Sequence, residues 1–146
     1  MQIEIKIDSL CTETKLIVVT DKITEEINNM IRKLSEETPQ VLCGFRDDTL
    51  EILDQADIIR LYSAAGKIFA VTGHSEYMLR LRLYELEDRL DKSIFVRISN
   101  SEIINLRKVK GFDLSFTGTI CVTLSNGTVT YVSRRYVAKI KQVLGI

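Results

Sequence analysis

The sequence predicts a mostly β protein of the α+β class, built largely from antiparallel hairpins. Between residues 40 and 132, short alternating apolar runs are separated by turn residues. The pair Asn126-Gly127 is the strongest hairpin signal, because a type I′ turn needs two residues that tolerate positive φ. A length of 146 residues suits one globular domain with a small appendage at most. The composition, 45% hydrophobic and 27% charged, excludes disordered and collagen-like proteins.

Residues 1–40 are predicted to form a separate strand-strand-helix segment. Ile3, Ile5 and Ile7 alternate with polar residues, which indicates a half-buried strand. Residues 15–20, rich in Ile and Val, predict a second strand. A helix over 21–36, capped by Thr20 or Asp21, carries one apolar stripe. That stripe consists of Ile23, Ile27, Met30, Ile31 and Leu34. Pro39 marks the boundary with the following module.

Residues 41–146 are predicted to be a succession of strands with one inserted helix and one C-terminal helix. The inserted helix spans about two turns from Leu83 to Leu90, and the last begins after Ser133 and ends near Gly145. The predicted strands are 41–46, 49–53, 58–63, 67–72, 77–82, 94–98, 109–116, 119–124 and 128–132. Because the turns are short, the pairing is expected to be antiparallel.

Several classes of function are disfavoured by what the sequence lacks. It has no long apolar run or secretory signal, so we expect a cytoplasmic protein. Cys11, Cys43 and Cys121 are expected to be reduced thiols, and with His74 as the single histidine no metal or cofactor is expected. There is no phosphate-binding loop or G-x-S-x-G motif. We therefore predict that the protein is not an enzyme.

The charge is unevenly distributed along the chain although the net charge is zero. Residues 97–146 contain eight Lys or Arg and two Asp or Glu, a surplus of six positive charges, and residues 1–96 carry the compensating surplus of negative charge. This asymmetry indicates that the C-terminal part contacts a polyanion. A solvated surface whose charges happen to segregate is the alternative.

Two local patterns favour contacts with nucleic acid. Arg134 and Arg135 occupy the first turn of the last predicted helix, where the helix dipole disfavours cations. A phosphate or a guanine edge would explain them, as would ion pairs with acidic side chains. The polar run Ser99-Asn100-Ser101 interrupts an apolar stretch. Such side chains hydrogen-bond to base edges, although a turn or a helix cap explains them equally well.

Four motifs in the same order resemble the LytTR-type DNA-binding domain of bacterial transcription regulators. Residues 95–106 resemble its F-x-R-[VI]-[HS]-x-S-[FY]-[IV]-[VI]-N pattern, and residues 126–136 resemble its strand followed by S-R-x-Y. Residues 56–59 and 83–90 match its strand entry and its L-x-E-L helix. The resemblance covers about residues 41–146. It implies an elongated fold of about ten mostly antiparallel strands that binds duplex DNA through loops.

The resemblance also implies which residues contact DNA. Asn100 and Arg135 match base-reading positions in the major groove, and Lys67 falls in a third loop as a phosphate contact. The sequence departs from the family where Ser99 replaces a frequent histidine and Glu102 a frequent aromatic residue, and Ile68 and Phe69 replace polar readers. The predicted DNA-binding residues are Lys67, Arg97, Ser99, Asn100, Ser101, Lys108, Lys110, Arg134 and Arg135.

The partners implied are double-stranded DNA with repeated half-sites, a second copy in a homodimer and a membrane-bound inhibitor. The inhibitor is implied because residues 1–40 are too few for a receiver domain. The helix over 21–36 would serve as a dimer or inhibitor surface, or would simply cover the sheet. Two other functions stay open: a β-rich module that binds an acidic protein through its basic C-terminal part, and a ligand-sensing barrel with a dry pocket.

Overall fold

A computed structural model describes residues 1–35 and 41–146 of the chain. The chain divides into two compact units, 1–39 and 40–146, and each is described by itself. Residues 1–35 of the first unit contain one helix, α1 (Glu25–Ser35). The Thr24 hydroxyl accepts a hydrogen bond from the backbone N–H of Ile27 at 3.3 Å. The predicted helix is therefore present but begins later than Thr20 or Asp21, because Thr24 supplies the cap.

The two strands predicted within residues 1–20 were wrong, because the structure forms no strand in this described segment. The side chains of Ile3, Ile5 and Ile7 are 85%, 83% and 92% exposed. Alternation supplies an apolar face, but a strand also needs a hydrogen-bonding neighbour, and an isolated two-stranded ribbon is marginally stable in water. Within residues 1–35 and 41–146 the alternating pattern consequently has no neighbouring strand.

The second unit has the strand-rich architecture that the sequence predicts. Its helices are α2 (Leu83–Arg89) and α3 (Arg134–Leu144). Its strands are β1 (Leu42–Arg46), β2 (Thr49–Leu53), β3 (Ile58–Ala64), β4 (Lys67–Thr72), β5 (Glu76–Leu79), β6 (Phe95–Ser99), β7 (Glu102–Asn105), β8 (Val109–Asp113), β9 (Ile120–Leu124) and β10 (Val129–Val132). The mostly β class and the about ten strands that the family resemblance implies are confirmed. The nine strands predicted from the alternation pattern did not include β7.

The strands form two antiparallel sheets. One has seven strands in the order β2-β1-β5-β4-β3-β7-β6, and the other has three in the order β10-β9-β8. The β3–β4 turn has positive φ at both Ala65 and Gly66. The β9–β10 hairpin is confirmed, but its predicted type I′ turn was wrong. Of its loop residues only Gly127 has a positive φ, which fits a three-residue loop with a bulge.

Two hydrophobic clusters lie on opposite faces of β6 and β7. On one face, Phe95 and Ile103 pack with Leu83 and Leu86 of α2 and with Leu90, which directly follows it. On the other face, the second sheet and α3 cover the strands with Ile120, Val122, Leu124, Val132 and Ile140, which meet Val96, Ile98 and Ile104. Burial on both faces explains why neighbouring positions of these strands, Phe95 with Val96 and Ile103 with Ile104, are both apolar. It also fixes the position of the polar turn between these two strands.

Gly44 in β1 provides a test of this packing. A Cβ placed on Gly44 would lie 2.6 Å from the Cβ of Tyr77 on the neighbouring β5. We expect Gly44→Ala to reduce the free energy of unfolding by about 1–3 kcal/mol, because the two strands would have to separate. Urea denaturation of Gly73→Ala is the matched control, since its Cβ would meet no atom within 4 Å. Equal stability of both variants would contradict the close approach.

Candidate nucleic-acid interface

The turn between β6 and β7 is held by the side chain of Arg97. Its Nε donates to the carbonyl oxygen of Ser99 at 2.9 Å, and its Nη2 donates to that of Asn100 at 2.7 Å. Its Nη1 forms an ion pair with Glu87 of α2 at 2.6 Å. The side chain of Arg97 is only 17% exposed. All three guanidinium nitrogens are thus engaged, and Arg97 organises the turn from beneath.

The polar side chains of this turn are presented to solvent. Asn100 and Ser101 are exposed, and Ser99 is half-buried. The Ser99 hydroxyl accepts a hydrogen bond from the backbone N–H of Ser101 at 3.2 Å and lies 3.3 Å from the Ser101 hydroxyl. Residues 99–101 therefore form the turn that was the alternative explanation of their polarity. This turn leaves the Asn100 amide nitrogen available to a ligand.

The start of α3 is attached to the same turn. The backbone N–H of Ser133 donates to the carbonyl oxygen of Ile98 at 2.8 Å. The Tyr136 hydroxyl donates to Oδ1 of Asn100 at 3.4 Å. The guanidinium of Arg135 lies 5.8 Å from the centre of the Tyr136 ring. Asn100 and Arg135 therefore flank one tyrosine, although 35 positions separate them in the sequence.

Both arginines at the start of α3 are exposed. Within residues 1–35 and 41–146, neither Arg134 nor Arg135 forms an ion pair, so acidic partners do not account for them. Arg134 lies over the loop between β8 and β9, where its Nε is 3.3 Å from the position a Cβ of Gly118 would take. Ser133 occupies the N-cap position without a side-chain capping bond. The first N–H groups of α3 and two guanidinium groups thus share one end of the helix.

Lys67 lies at the same end of the seven-stranded sheet as the β6–β7 turn. The backbone N–H of Ser63 donates to the carbonyl oxygen of Ser101 at 2.8 Å. Ser63 precedes Ala64, which pairs with Lys67 across the β3–β4 turn. Strand β4 is separated from β7 by β3 alone, a spacing of about 10 Å. Lys67 is exposed and flanks the polar turn on the side away from α3.

Lys108 and Lys110 do not belong to this cluster. Lys108 ends a short helical turn that follows β7, at the end of the sheet opposite to Ser101. Lys110 lies at an irregularity where β8 pairs with β9, whereas α3 begins at the other end of that sheet. The four residues of β7 span about 14 Å. Six of the nine predicted residues therefore lie around the β6–β7 turn, with Arg97 beneath them, and Lys108 and Lys110 lie apart. The six are Lys67, Ser99, Asn100, Ser101, Arg134 and Arg135.

Glu102 is a buried acidic residue directly behind the turn, and its structural role was missed from the sequence. Its Oε2 forms an ion pair with Nε of Arg60 on β3 at 2.6 Å. Its Oε1 accepts a hydrogen bond from the Thr130 hydroxyl of β10 at 2.5 Å. The carboxylate thereby links the two sheets next to Ser101. A single charge directly before the apolar pair Ile103-Ile104 was the available signal.

Three groups of the unit, Tyr62, Asp91 and Asp113, have a shifted pKa. The pKa of Tyr62 is raised, first because its hydroxyl hydrogen-bonds to the Glu76 carboxylate and second because of burial. The pKa of Asp113 is lowered by hydrogen bonds from the Ser115 hydroxyl and backbone N–H. Near neutral pH, Tyr62 is thus neutral and Asp113 is charged. Neither changes the positive charge presented by Lys67, Arg134 and Arg135.

Other kinds of site find little support in the described part of the chain. Residues 1–35 and 41–146 contain no group of three or more His, Cys, Asp or Glu side chains placed to hold a metal ion. A cavity of about 760 Å³ between α2 and α3 is lined by charged residues such as Glu85, Asp88 and Lys139, unlike the dry pocket of a ligand-sensing barrel. Among the described helices, none has the length and apolar character needed to span a membrane.

Comparison with known proteins identifies the family. An uncharacterized HTH-type transcriptional regulator of Staphylococcus aureus strain MSSA476 is 31% identical over 147 residues, which cover 100% of this chain and 99% of that protein. A protein of the same description from strain MRSA252 is 30% identical over the same length. A solved LytTr DNA-binding domain from Bacillus cereus has a TM-score of 0.70 at 22% identity, covering 73% of this chain and 97% of its own. The model of the LytTr DNA-binding domain matches residues 48–145, and the chain belongs to that family.

Proposed function

We propose that this chain is a sequence-specific transcription regulator that binds duplex DNA through the β6–β7 turn and the start of α3. The observation that carries the proposal is the contact of Tyr136 with Asn100 at 3.4 Å beside the Arg135 guanidinium. Family membership supports DNA binding, and the regulators among the relatives support a role in transcription. Those relatives come from Staphylococcus aureus, which supports a bacterial cytoplasmic setting.

Asn100 and Arg135 have the chemistry needed for base recognition. An asparagine amide pairs in bidentate fashion with adenine, and an arginine guanidinium does so with guanine, both in the major groove. Because both side chains flank Tyr136, we expect them to contact neighbouring base pairs of one half-site. The Ser99 and Ser101 hydroxyls would add hydrogen bonds at the edge of that contact. Five strands separate α2 from α3, so the recognition surface is a turn and a helix end rather than a helix-turn-helix.

The remaining charged residues divide into phosphate contacts and positioning groups. Arg134 and the uncapped N–H groups of α3 form a natural phosphate site, because the positive end of the helix dipole adds to the guanidinium charge. Lys67 would contact a phosphate on the other side of the turn. Arg97 supports the turn through its two carbonyl contacts and does not reach the DNA. Lys108 and Lys110 lie outside this contact surface.

Lys67 provides a test of the phosphate assignment. Lys67→Ala should weaken binding to specific and random duplexes by the same factor, because a phosphate contact carries no sequence information. It should also reduce the slope of log K against log salt concentration by about 0.9, the contribution of one neutralised phosphate. Fluorescence anisotropy titrations on both duplexes at several salt concentrations measure both quantities.

Lys110→Ala is the matched control for this titration, since it removes one exposed positive charge at the far end of the fold. Its salt slope should equal that of the wild type. A salt-independent affinity of the wild-type chain would contradict the DNA-binding proposal. If the wild-type chain then bound an acidic peptide instead of DNA, that result would favour the alternative function of docking to an acidic protein.

A further inference from the structure

The β6–β7 turn is held at two successive carbonyl groups by one side chain. The carbonyl oxygens of Ser99 and Asn100 accept hydrogen bonds from Nε and Nη2 of Arg97 at 2.9 and 2.7 Å. The pairing of β6 with β7 is irregular between Arg97 and Ser99, so the strand ladder alone does not fix the peptide groups that follow. The orientation of the Arg97 guanidinium therefore sets the direction of the backbone at Asn100.

The third nitrogen of this guanidinium is bonded to Glu87, a residue of α2 rather than of the turn. Nη1 of Arg97 lies 2.6 Å from Oε1 of Glu87. The Arg97 side chain is 17% exposed and that of Glu87 is 37% exposed, so water screens this ion pair only in part. Charge-assisted hydrogen bonds are roughly twice as strong as neutral ones. The Glu87 carboxylate thus fixes the plane of the guanidinium that holds the two carbonyl groups.

The packing of α2 gives the Glu87 carboxylate a fixed position. Leu86, the residue before it, is fully buried, and Leu83 is buried in the same hydrophobic cluster. An arginine side chain alone is rich in rotamers. Because the ion pair ties the Arg97 guanidinium to a helix that the core already holds, one of these rotamers is selected.

The backbone and the side chain of Asn100 are held by different elements. Its carbonyl oxygen is bonded to Arg97, and its Oδ1 accepts a hydrogen bond from the Tyr136 hydroxyl of α3 at 3.4 Å. Bidentate pairing with adenine uses both polar atoms of the amide, and a recognition group has to be held to within about 0.5 Å of its productive position. A small backbone shift at Asn100 is therefore enough to weaken base discrimination while the hydrophobic clusters stay intact.

We propose that Glu87 is a positioning residue for Asn100. Acting through Arg97, it determines how strongly the chain discriminates the base pair that Asn100 reads, without contacting DNA itself. This inference rests on the proposed function and adds α2 to the elements that determine specificity. Because phosphate contacts carry no sequence information, Glu87 should affect the preference for one base and leave the general affinity for duplex DNA unchanged.

A comparison of Glu87→Ala with Asp88→Ala in the full-length chain tests the proposal. Both variants remove one negative charge from α2, and alanine suits a helix. The Asp88 carboxylate has a different partner, since it is 74% exposed and lies 3.9 Å from Nζ of Lys92. Anisotropy titrations use the specific duplex, a random duplex and duplexes changed at each base pair in turn. Asn100→Ala identifies the base pair that Asn100 reads.

Glu87→Ala should reduce the discrimination at that base pair by about tenfold, which lies within the range that a bidentate contact supplies. Its discrimination at the base pair read by Arg135, its affinity for the random duplex and its salt slope should stay within about twofold of those of Asp88→Ala, because the phosphate contacts are unchanged. A variant that had merely lost stability would bind the specific and the random duplex more weakly by the same factor.

A measurement without DNA follows the turn itself. Amide order parameters from ¹⁵N relaxation should be about 0.85 at Asn100 and Ser101 in the wild type and in Asp88→Ala, and should fall toward about 0.6 in Glu87→Ala. The amides of β9, the central strand of the three-stranded sheet, should keep their wild-type values in both variants. A loss confined to the turn would show that Glu87 acts on it directly rather than through the stability of the unit.

Glu87→Ala would overturn the proposal if it retained either the base discrimination or the rigid turn, or if it lost discrimination equally at the base pairs read by Asn100 and Arg135. A wild-type chain without preference for any duplex would refute the proposed function instead, as would an unchanged pattern of discrimination in Asn100→Ala. In that case the order parameters would still decide whether Glu87 holds the turn, so the two failures are distinguishable.

Discussion

Arg135→Ala is expected to lower the affinity for the specific site by about 1–3 kcal/mol and to relax the preference at one base pair. The guanidinium lies beside the Tyr136 ring at the start of α3 and forms no ion pair within the described residues. Its removal should therefore cost the contact to DNA without disturbing the fold. Anisotropy titrations with the specific duplex and with variants at each position measure both effects.

Lys141→Ala is the matched control, because it removes one exposed positive charge further along the same helix. Its affinity should fall equally, and only slightly, on specific and random duplexes. If Arg135→Ala also weakened both duplexes equally, the residue would be a phosphate contact and the base-reading assignment would be wrong. Thermal unfolding of each variant confirms that the fold is retained.

Glu102→Ala is expected to reduce the free energy of unfolding by about 3 kcal/mol. The substitution leaves Arg60 without its partner at 2.6 Å and removes the acceptor of the Thr130 hydroxyl. An unpaired charge in a largely buried position is more costly than the loss of the pair as a whole. Urea denaturation monitored by circular dichroism measures the change.

The double variant Arg60→Met/Glu102→Met separates the cost of leaving Arg60 unpaired from the cost of losing the ion pair as a whole. Because it removes both charges and keeps much of the side-chain volume, it should be clearly more stable than Glu102→Ala. Equal stability of the single and double variants would indicate that the cost comes from lost packing. Wild-type stability of Glu102→Ala would show that the carboxylate does not hold the two sheets together.

The hairpins of the second unit were predictable because their signals are local. The apolar run and the turn residues Ala64-Ala65-Gly66 before it predict β4 from Lys67 to Thr72, and the structure gives the same bounds. The two strands predicted in residues 1–20 failed because a strand also needs a neighbour, which a single sequence does not specify. The type I′ turn at Asn126 failed because loop length, rather than residue preference, determined the geometry.

The candidate site was only partly predictable, because its assembly depends on pairing between distant segments. Asn100 and Arg135 were found through motifs, but their proximity comes from the bond between Ser133 and Ile98. Lys108 was included for its charge alone, and the direction of β7 carries it to the far end of the sheet. Arg97 is the arginine of the F-x-R pattern, and its burial beneath the turn commits its guanidinium to carbonyl groups and Glu87. The membrane-bound inhibitor implied by the family resemblance stays a prediction.

Selection from a random duplex pool, sequenced after binding to the full-length chain, tests the central claim most directly. The claim is that Asn100 and Arg135 form one base-reading surface. We predict enrichment of a short motif with adenine and guanine at neighbouring positions. Repeating the selection with Arg135→Ala should lose the preference for guanine and keep the rest. A pool that stays random, or a motif unchanged by the substitution, would contradict the claim.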